Sequence, residues 1–240
     1  HYNLHKTFSQ PHGGGGPGSG PIGVKEHLSK FLPSPIVGRR EAMEDEVGVA
    51  DGYWYHWVTP ESTIGKVQQW NGNAGAVVRS WAFYRRYGRE LETMSEHAVL
   101  NANYLRHVMM NPDPDLQIHA MPIEGCPADV VKHEFTLSMS PLKEANGVTG
   151  KDVAKRLLDY GYMAPTLYFP QIVPECLMFE PTETESKEVL DKFARDFHSI
   201  LAEDPEIVLS SPHTTPVGRV DEVWAARNLI LRYNKSQDLS

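Results

Sequence analysis

Histidine, lysine and threonine stand together at His5-Lys6-Thr7, just ahead of the glycine-dominated tract Pro11-His12-Gly13-Gly14-Gly15-Gly16-Pro17-Gly18-Ser19-Gly20-Pro21. Lysine is the side chain that forms Schiff bases with carbonyl groups. It must be neutral to attack, so a lysine in that role needs a pKa below the usual value of about 10.4, through desolvation or a neighbouring cation. Backbone N–H groups of a glycine loop can cradle a phosphate. An aldehyde to hold covalently and a phosphate to cradle are the two ends of pyridoxal phosphate. Spacing alone leaves a second reading open, a surface lysine beside a loop, which is the ordinary place for a lysine.

The elements around these residues must fix that loop. Seven of the 19 glycines fall between Gly13 and Gly23, a density that admits neither helix nor strand. Flexible linkers are rich in glycine and serine. This tract instead carries prolines, a histidine and the apolar flank Ile22 to Val24, and it is read as an ordered loop where backbone closely approaches a ligand or another chain. Residues 37–62 are irregular, with acidic Glu41, Glu44, Asp45 and Glu46 and the aromatic cluster Tyr53, Trp54, Tyr55, Trp57, which suits an interface and a core filler equally. Apolar residues at three- and four-residue spacing from Val67 through Trp70, Val77 and Trp81 to Tyr84 predict a long helix ending near Gly88. A second helix is expected over Met94 to Met110, stopped by Asn111-Pro112-Asp113-Pro114. That stop divides the chain into domains 1–112 and 113–240.

Beyond the stop, short strands and helices alternate. Gln117 to Met121, Glu134 to Ser140 and Cys176 to Phe179 read as strands, the second with Phe135, Leu137 and Met139 facing inward. Thr149 with Asp152 opens one helix, stopped by Gly161. Thr182 with Glu185 opens another, carrying the stripe Val189, Leu190, Phe193, Phe197, Ile200 and Leu201. Pro212 to Pro216 forms an ordered turn, and a short helix starts at Asp221. The pattern is a small α+β domain with helices on one face of its sheet.

Several function classes fall away. The chain has 240 residues with 31 acidic against 23 basic, a net charge of −8, which argues against a nucleic-acid binder held by bulk charge. No apolar run reaches the roughly 18 residues of a membrane span. Cys126 and Cys176 are too few for a disulfide scaffold or a four-cysteine zinc site, and buried thiols are their expected state. His1 and His5 share the spacing of helical metal ligands without the accompanying glutamate motif, so no metal is expected. Ser210-Ser211 lacks the glycines of a nucleophile elbow. His119, His133, His198 and His213 show no partner in the sequence. Arg227 and Arg232 read as helix-surface charge, with a substrate carboxylate or a partner's acid patch as the alternative.

The segment from His1 through Lys6 to Gly18 resembles the cofactor-lysine segment of the glycine cleavage system P-protein family, glycine dehydrogenase (decarboxylating). The similarity continues through Gly20-Pro21-Ile22-Gly23-Val24, Ser62-Thr63-Ile64-Gly65, Ala98 to Leu105, Pro141-Leu142-Lys143-Glu144 and Asp159-Tyr160-Gly161. It runs on to Ala164-Pro165-Thr166, Phe179-Glu180-Pro181-Thr182-Glu183 and Pro212-His213-Thr214-Thr215-Pro216. The C-terminal ending is closest to the second subunit of the two-subunit prokaryotic form. The resemblance implies an α/β fold, the C-terminal part of a fold-type I (aminotransferase-like) pyridoxal-phosphate enzyme that ends in a small α+β domain. It implies decarboxylation of glycine with transfer of the aminomethyl group to the lipoyl arm of the H-protein. By resemblance Lys6 is the Schiff-base lysine for pyridoxal 5'-phosphate, and His5 shapes the pocket and influences proton transfer. Thr7, His12, Gly13, Gly14, Gly15 and Gly16 lie near the cofactor phosphate or the lipoyl channel.

Family members carry several hundred residues before this lysine, including the aspartate that pairs the pyridine nitrogen. The 240 residues are therefore expected to be part of a longer assembly and inactive alone. The implied partners are a companion P-protein subunit or an upstream half, in a dimer or heterotetramer, in the cytoplasm (the mitochondrial matrix of a eukaryote). A non-catalytic dimerisation module that completes a pocket supplied by another chain is the alternative.

Overall fold

A computed structural model describes residues 1–11, 18–44, 46–47, 49, 51–111, 118–119, 125–127 and 130–232. It falls into two compact units, His1–Glu92 and Thr93–Ser240. The helix whose end marks the sequence-based division at 112 stands, all but its first two residues, in the second unit.

The first unit opens with a tight turn over the first ten residues, followed by a 3-10 helix, Glu26–Phe31. Residues expected to be irregular form an antiparallel ribbon of β1 (Ile36–Glu41) and β2 (Tyr53–Val58), in register from Ile36 opposite Val58 to Glu41 opposite Tyr53. The aromatics of β2 fill no core: Tyr55 and Trp57 are exposed, and Tyr53 lies under the Arg39 guanidinium at 4.7 Å. Pairing Arg40 with Glu46 holds the carboxyl of Glu46 down at about 2, through the hydrogen bond from Arg40 first and the Met43 N–H second. Helix α1 (Ala74–Tyr87) begins seven residues later than its apolar periodicity predicts. Asn71-Gly72-Asn73 interrupts the pattern: Gly72 takes φ +68°, and the Asn73 side chain caps the helix by accepting from the Ala76 N–H at 3.2 Å. Val67 and Trp70 therefore lie in the turn ahead of the helix, where Trp70 Nε1 donates to the Pro35 carbonyl at 2.9 Å.

Helix α2 (Leu91–Met110) supplies Ala102, Leu105 and Met109 to the core of the second unit. The strands β3 (Ile118–His119) and β4 (Phe135–Ser138) follow, then α3 (Ser140–Asn146) and α4 (Gly150–Asp159). The pair β5 (Thr166–Leu167) and β6 (Cys176–Phe179) completes an antiparallel sheet of order β3-β4-β6-β5. Helices α5 (Lys187–Leu201), α6 (Pro205–Ser210) and α7 (Glu222–Arg227) end the chain's described elements. The capping box predicted at Thr149 and Asp152 is present, and Gly161 turns the chain with φ +83° after α4. Two details differ from expectation. β4 does not alternate, because it is a central strand and Thr136 and Ser138 are buried with Phe135 and Leu137. The α5 cap is Ser186, whose Oγ accepts from the Val189 N–H; the carbonyls of Thr182 and Glu185 instead accept from Asn101 Nδ2 at 2.8 and 3.0 Å.

Ring packing organises this core. Phe197 lies 5.6 Å from Phe179 and 6.2 Å from Phe193, and Phe135 stacks on Phe179 at 5.5 Å. Among the described residues no helix is long and apolar enough to cross a membrane.

Candidate functional site

Lys6 sits at the tip of a turn built from its neighbours. Its N–H donates to the Asn3 carbonyl at 3.1 Å, its carbonyl accepts from the Ser9 N–H at 3.2 Å, and the Gln10 N–H closes the turn on Leu4 at 3.0 Å. Two backbone bonds, Leu4 N–H to Ser19 and Tyr2 N–H to Pro21, lay the returning chain beside it. Leu4 is the buried anchor, and Phe8 stacks on Tyr84 of α1 at 5.1 Å. The lysine side chain itself is exposed and makes no ion pair or hydrogen bond among the described residues.

Beside this turn lies an open cleft of about 1300 Å³, with a lining that includes His1, Asn3, His5, Asn71 and the backbone of Gly18 to Gly20. Among the described residues no carboxylate contributes to the lining. The glycines let backbone lie against the imidazoles: a Cβ on Gly18 would meet the His5 ring at 3.6 Å, and one on Gly20 would collide with His1 Nε2. Imidazoles, amides and open backbone, with no acid among the described lining residues, suit the phosphate end of pyridoxal phosphate, and a primary amine such as that of Lys6 beside them is the group its aldehyde takes. The residues present fit those two ends of the group. Among the described residues the cleft offers no acid for the pyridine nitrogen.

The structure separates the residues singled out from the sequence. His5 lines the cleft; Lys6 and Thr7 are exposed at the turn and outside its lining. His12, Gly13, Gly14, Gly15 and Gly16 lie outside the described residues. The sequence reading missed the contribution of Asn3 and of the stretch from Val67 to Asn73. The Asn-Gly-Asn turn was the available signal, and the apolar spacing that runs through it obscured it.

A second polar cluster belongs to the second unit. Asp159, 3% exposed at its side chain, accepts from the N–H groups of His213 and Thr214 at 2.7 and 2.8 Å and from the Thr214 hydroxyl at 2.9 Å. Burial opposes its ionisation, but those donors and Arg156 outweigh it and hold the carboxyl at about 2. Arg156 also forks onto Glu203, with Nε–Oε2 at 2.7 Å and an Nη–Oε1 bond at 3.0 Å, and Tyr160 donates to Glu203 at 2.6 Å. His213 Nε2 is 3.0 Å from Ser210 Oγ and its Nδ1 is 3.7 Å from Asp159, the outline of a Ser-His-Asp triad. The wiring is reversed. Arg156 lies 3.4 Å from Nδ1 and can only donate, so Nδ1 accepts and Nε2 carries the proton toward Ser210. Ser210 in turn donates to the Glu206 carbonyl at 2.7 Å, as a helix hydroxyl does. This cluster builds no nucleophile.

The family model described as "Glycine dehydrogenase, C-terminal domain" matches residues 94–215, just over half of the chain. The chain belongs to the glycine dehydrogenase family. A "probable glycine dehydrogenase (decarboxylating) subunit 2" of Alkaliphilus oremlandii is 45% identical over 240 residues, which is 99% of this chain and 45% of that protein. The protein of the same name from Chlorobium phaeobacteroides is 48% identical over 233 residues, covering 95% of this chain and 45% of its own length. The chain thus spans about half the length of the curated relatives it matches. In fold it resembles a crystal structure of glycine decarboxylase (P-protein) of the glycine cleavage system in inhibitor-bound form, with a TM-score of 0.56 and 15% identity over 81% of this chain and 41% of that one. The expected α/β class, with a small α+β C-terminal domain, is the fold of this family. The glycine dehydrogenase model covers most of the second unit; the Lys6 turn lies upstream of the residues it matches, within the span shared with the subunit 2 relatives.

Proposed function

We propose that this chain supplies the cofactor lysine of a glycine dehydrogenase (decarboxylating). Lys6 carries pyridoxal 5'-phosphate covalently, glycine loses its carboxyl group as carbon dioxide, and the aminomethyl group passes to the lipoyl arm of an H-protein. The observation that supports this most directly is the Lys6 turn: an exposed amine beside a cleft with no carboxylate among its described lining residues, in a chain 45% identical to a relative named for this activity. When bound, the cofactor supplies an electron sink for the pair left behind by carbon dioxide.

The chain's own residues bind and orient. Lys6 would hold the cofactor's aldehyde carbon, and Thr7, His12 and Gly13 to Gly16 would serve its phosphate or the lipoyl channel. His5, which lines the cleft, holds or moves a proton at a ring nitrogen. An acid-free lining avoids repulsion of an anionic phosphate or substrate carboxylate. The acid that pairs the ring nitrogen comes from outside the cleft's lining. A companion P-protein subunit or an upstream half of the same protein is the proposed source, in a dimer or heterotetramer. On this reading the first unit is part of a larger cofactor-bearing domain and the 240 residues are inactive alone. The setting is the compartment that holds the H-protein, a bacterial cytoplasm or a mitochondrial matrix.

The acid-free cleft also favours a second reading, in which the chain completes another chain's pocket without itself carrying the cofactor. Borohydride reduction in the presence of pyridoxal phosphate and the companion subunit, followed by peptide mapping, separates the two. A reduced adduct on Lys6, lost in Lys6→Ala, is the expected result. An unlabelled Lys6 with the companion present overturns the proposal.

A further inference from the structure

Beyond Pro212 none of the described residues is buried. Ser211 and Pro212 are buried, while every described residue from His213 to Arg232 is exposed or half-buried. The stretch nevertheless has a defined course, held by polar ties to α4. At the C-terminal end of α4, Asp159 takes the N–H groups of His213 and Thr214 and the Thr214 hydroxyl. At its N-terminal end, Asp152 takes Arg219, and Lys151 pairs with Glu222 at 2.9 Å. The two carboxylates lie seven residues apart, about 10 Å along the helix axis. Arg219 also reaches back to the carbonyls of Ser211 and Val208 at 2.6 and 3.3 Å, so its guanidinium joins the beginning of the stretch to its middle.

The placement of the two acids is informative. Asp152 sits in the first helical turn, where a carboxylate suits the dipole and completes the capping box. Asp159 sits at the opposite end, where a carboxylate is disfavoured by the same dipole. Three donors from the stretch and the Arg156 guanidinium compensate it there. The helix therefore presents one acid at each end, and a single segment bridges both.

We infer that residues 213–222 are a strap that opens and closes on α4 as one unit, closed by Asp159 at one end and by Asp152 through Arg219 at the other, without unfolding of the core beneath. Contacts of this kind open locally far more often than a buried sheet does. Closed, the strap fixes the course of the exposed residues Val217 and Val220 and the start of α7. Open, that whole terminal stretch is released from the second unit.

Amide hydrogen exchange of the full chain, resolved by residue, tests this. In the unsubstituted protein the His213 and Thr214 amides exchange slower than free amides and at least tenfold faster than those pairing β4 with β6. Arg219→Gln speeds both amides at least tenfold although neither is bonded to Arg219, and leaves the β4 and β6 amides unchanged. Glu222→Gln, which removes an exposed carboxylate and cannot unfold the core, speeds the same two amides at least twofold. The inference is overturned if His213 and Thr214 are unaffected by Glu222→Gln. It is overturned equally if they exchange at the rate of the β4–β6 amides in the unsubstituted protein.

Discussion

The two units of this chain hold themselves together in different ways. Among the described residues of the first, Leu4, Ala76 and the prolines Pro33 and Pro60 are the buried apolar side chains, while Trp57, Val78, Trp81 and others are exposed. Its order comes from backbone pairing: the Lys6 turn, the strand of bonds from Tyr2 and Leu4 to residues 19–21, and the β1–β2 ribbon. The second unit buries a continuous core running from Ala102 to Val208, with four phenylalanines in mutual contact. Burial is the dominant favourable term in folding, and hydrogen bonds contribute a modest net amount each. The residues that bear the proposed chemistry therefore lie in the unit with the smaller reserve of burial, and the family's recognisable C-terminal domain lies in the unit with the larger one.

The sharpest way to break this contrast is to open the larger core. Phe197 is fully buried between Phe179 and Phe193. Phe197→Ala is expected to cost about 3–5 kcal/mol through lost transfer energy and the cavity left behind. Urea unfolding followed by circular dichroism should show that loss. Trp54, Trp57, Trp70 and Trp81 all lie in the first unit, so tryptophan fluorescence reports mainly on it. An equal shift of the fluorescence transition would mean that the units share one cooperative core, and the contrast would fall.

Acid acts on the same division. The folded carboxyl of Asp159 is held at about 2, below its unfolded value, so it contributes stability above the unfolded value that is lost as pH falls through about 2. Asp152 and Glu203 are lowered in the same region of the second unit, Asp152 against its own burial and Glu203 chiefly by Arg156. Asp159→Asn should be less stable than the unsubstituted protein at neutral pH, and the gap should close progressively between about pH 4 and pH 2. Paired urea titrations across that range check it. A gap that stays constant with pH would mean that the Asp159 charge contributes nothing.

How far these features can be read in the sequence follows the same line. Where one strong local rule acts, the reading is close: the capping box at Thr149, the apolar run at Cys176, the cap at Asp221. Where two rules compete, it misses. Apolar spacing through Val67 and Trp70 favours helix, but Asn71-Gly72-Asn73 turns the chain there, and the turn prevails. Thr182 and Ser186 both suit a cap; the Thr182 hydroxyl pairs with that of Thr184 at 2.6 Å, and Ser186 caps. The Lys6 motif is legible because it is local. The cleft beside it is not, since Asn3, Gly18 and Asn73 are brought together only by the fold. The ties of Arg219 to Asp152 and of His213 to Asp159 span 67 and 54 residues and leave no local pattern.

The smallest expected effects come from two glycines that separate the units by what surrounds them. A Cβ on Gly150 would lie 2.8 Å from the carbonyl oxygen of Glu175 and 3.6 Å from Leu177 Cδ2. That carbonyl belongs to the backbone leading into β6 and accepts from the Met139 N–H, so it has little room to give. Gly150→Ala is expected to cost about 1–3 kcal/mol, the usual range for overpacking. A Cβ on Gly20 collides with the far end of the His1 side chain, which can swing away, and its nearest backbone atom is the Tyr2 oxygen at 3.0 Å. Gly20→Ala should therefore cost less than about 1 kcal/mol, because the adjustment falls on a side chain and a few tenths of an ångström of backbone. Its consequence belongs to the cleft, since the displaced imidazole is part of the lining. Denaturation midpoints of the two variants decide between the descriptions. Equal losses would mean that the Lys6 turn is packed as tightly as the sheet, and the open, backbone-held character of the first unit would have to be abandoned.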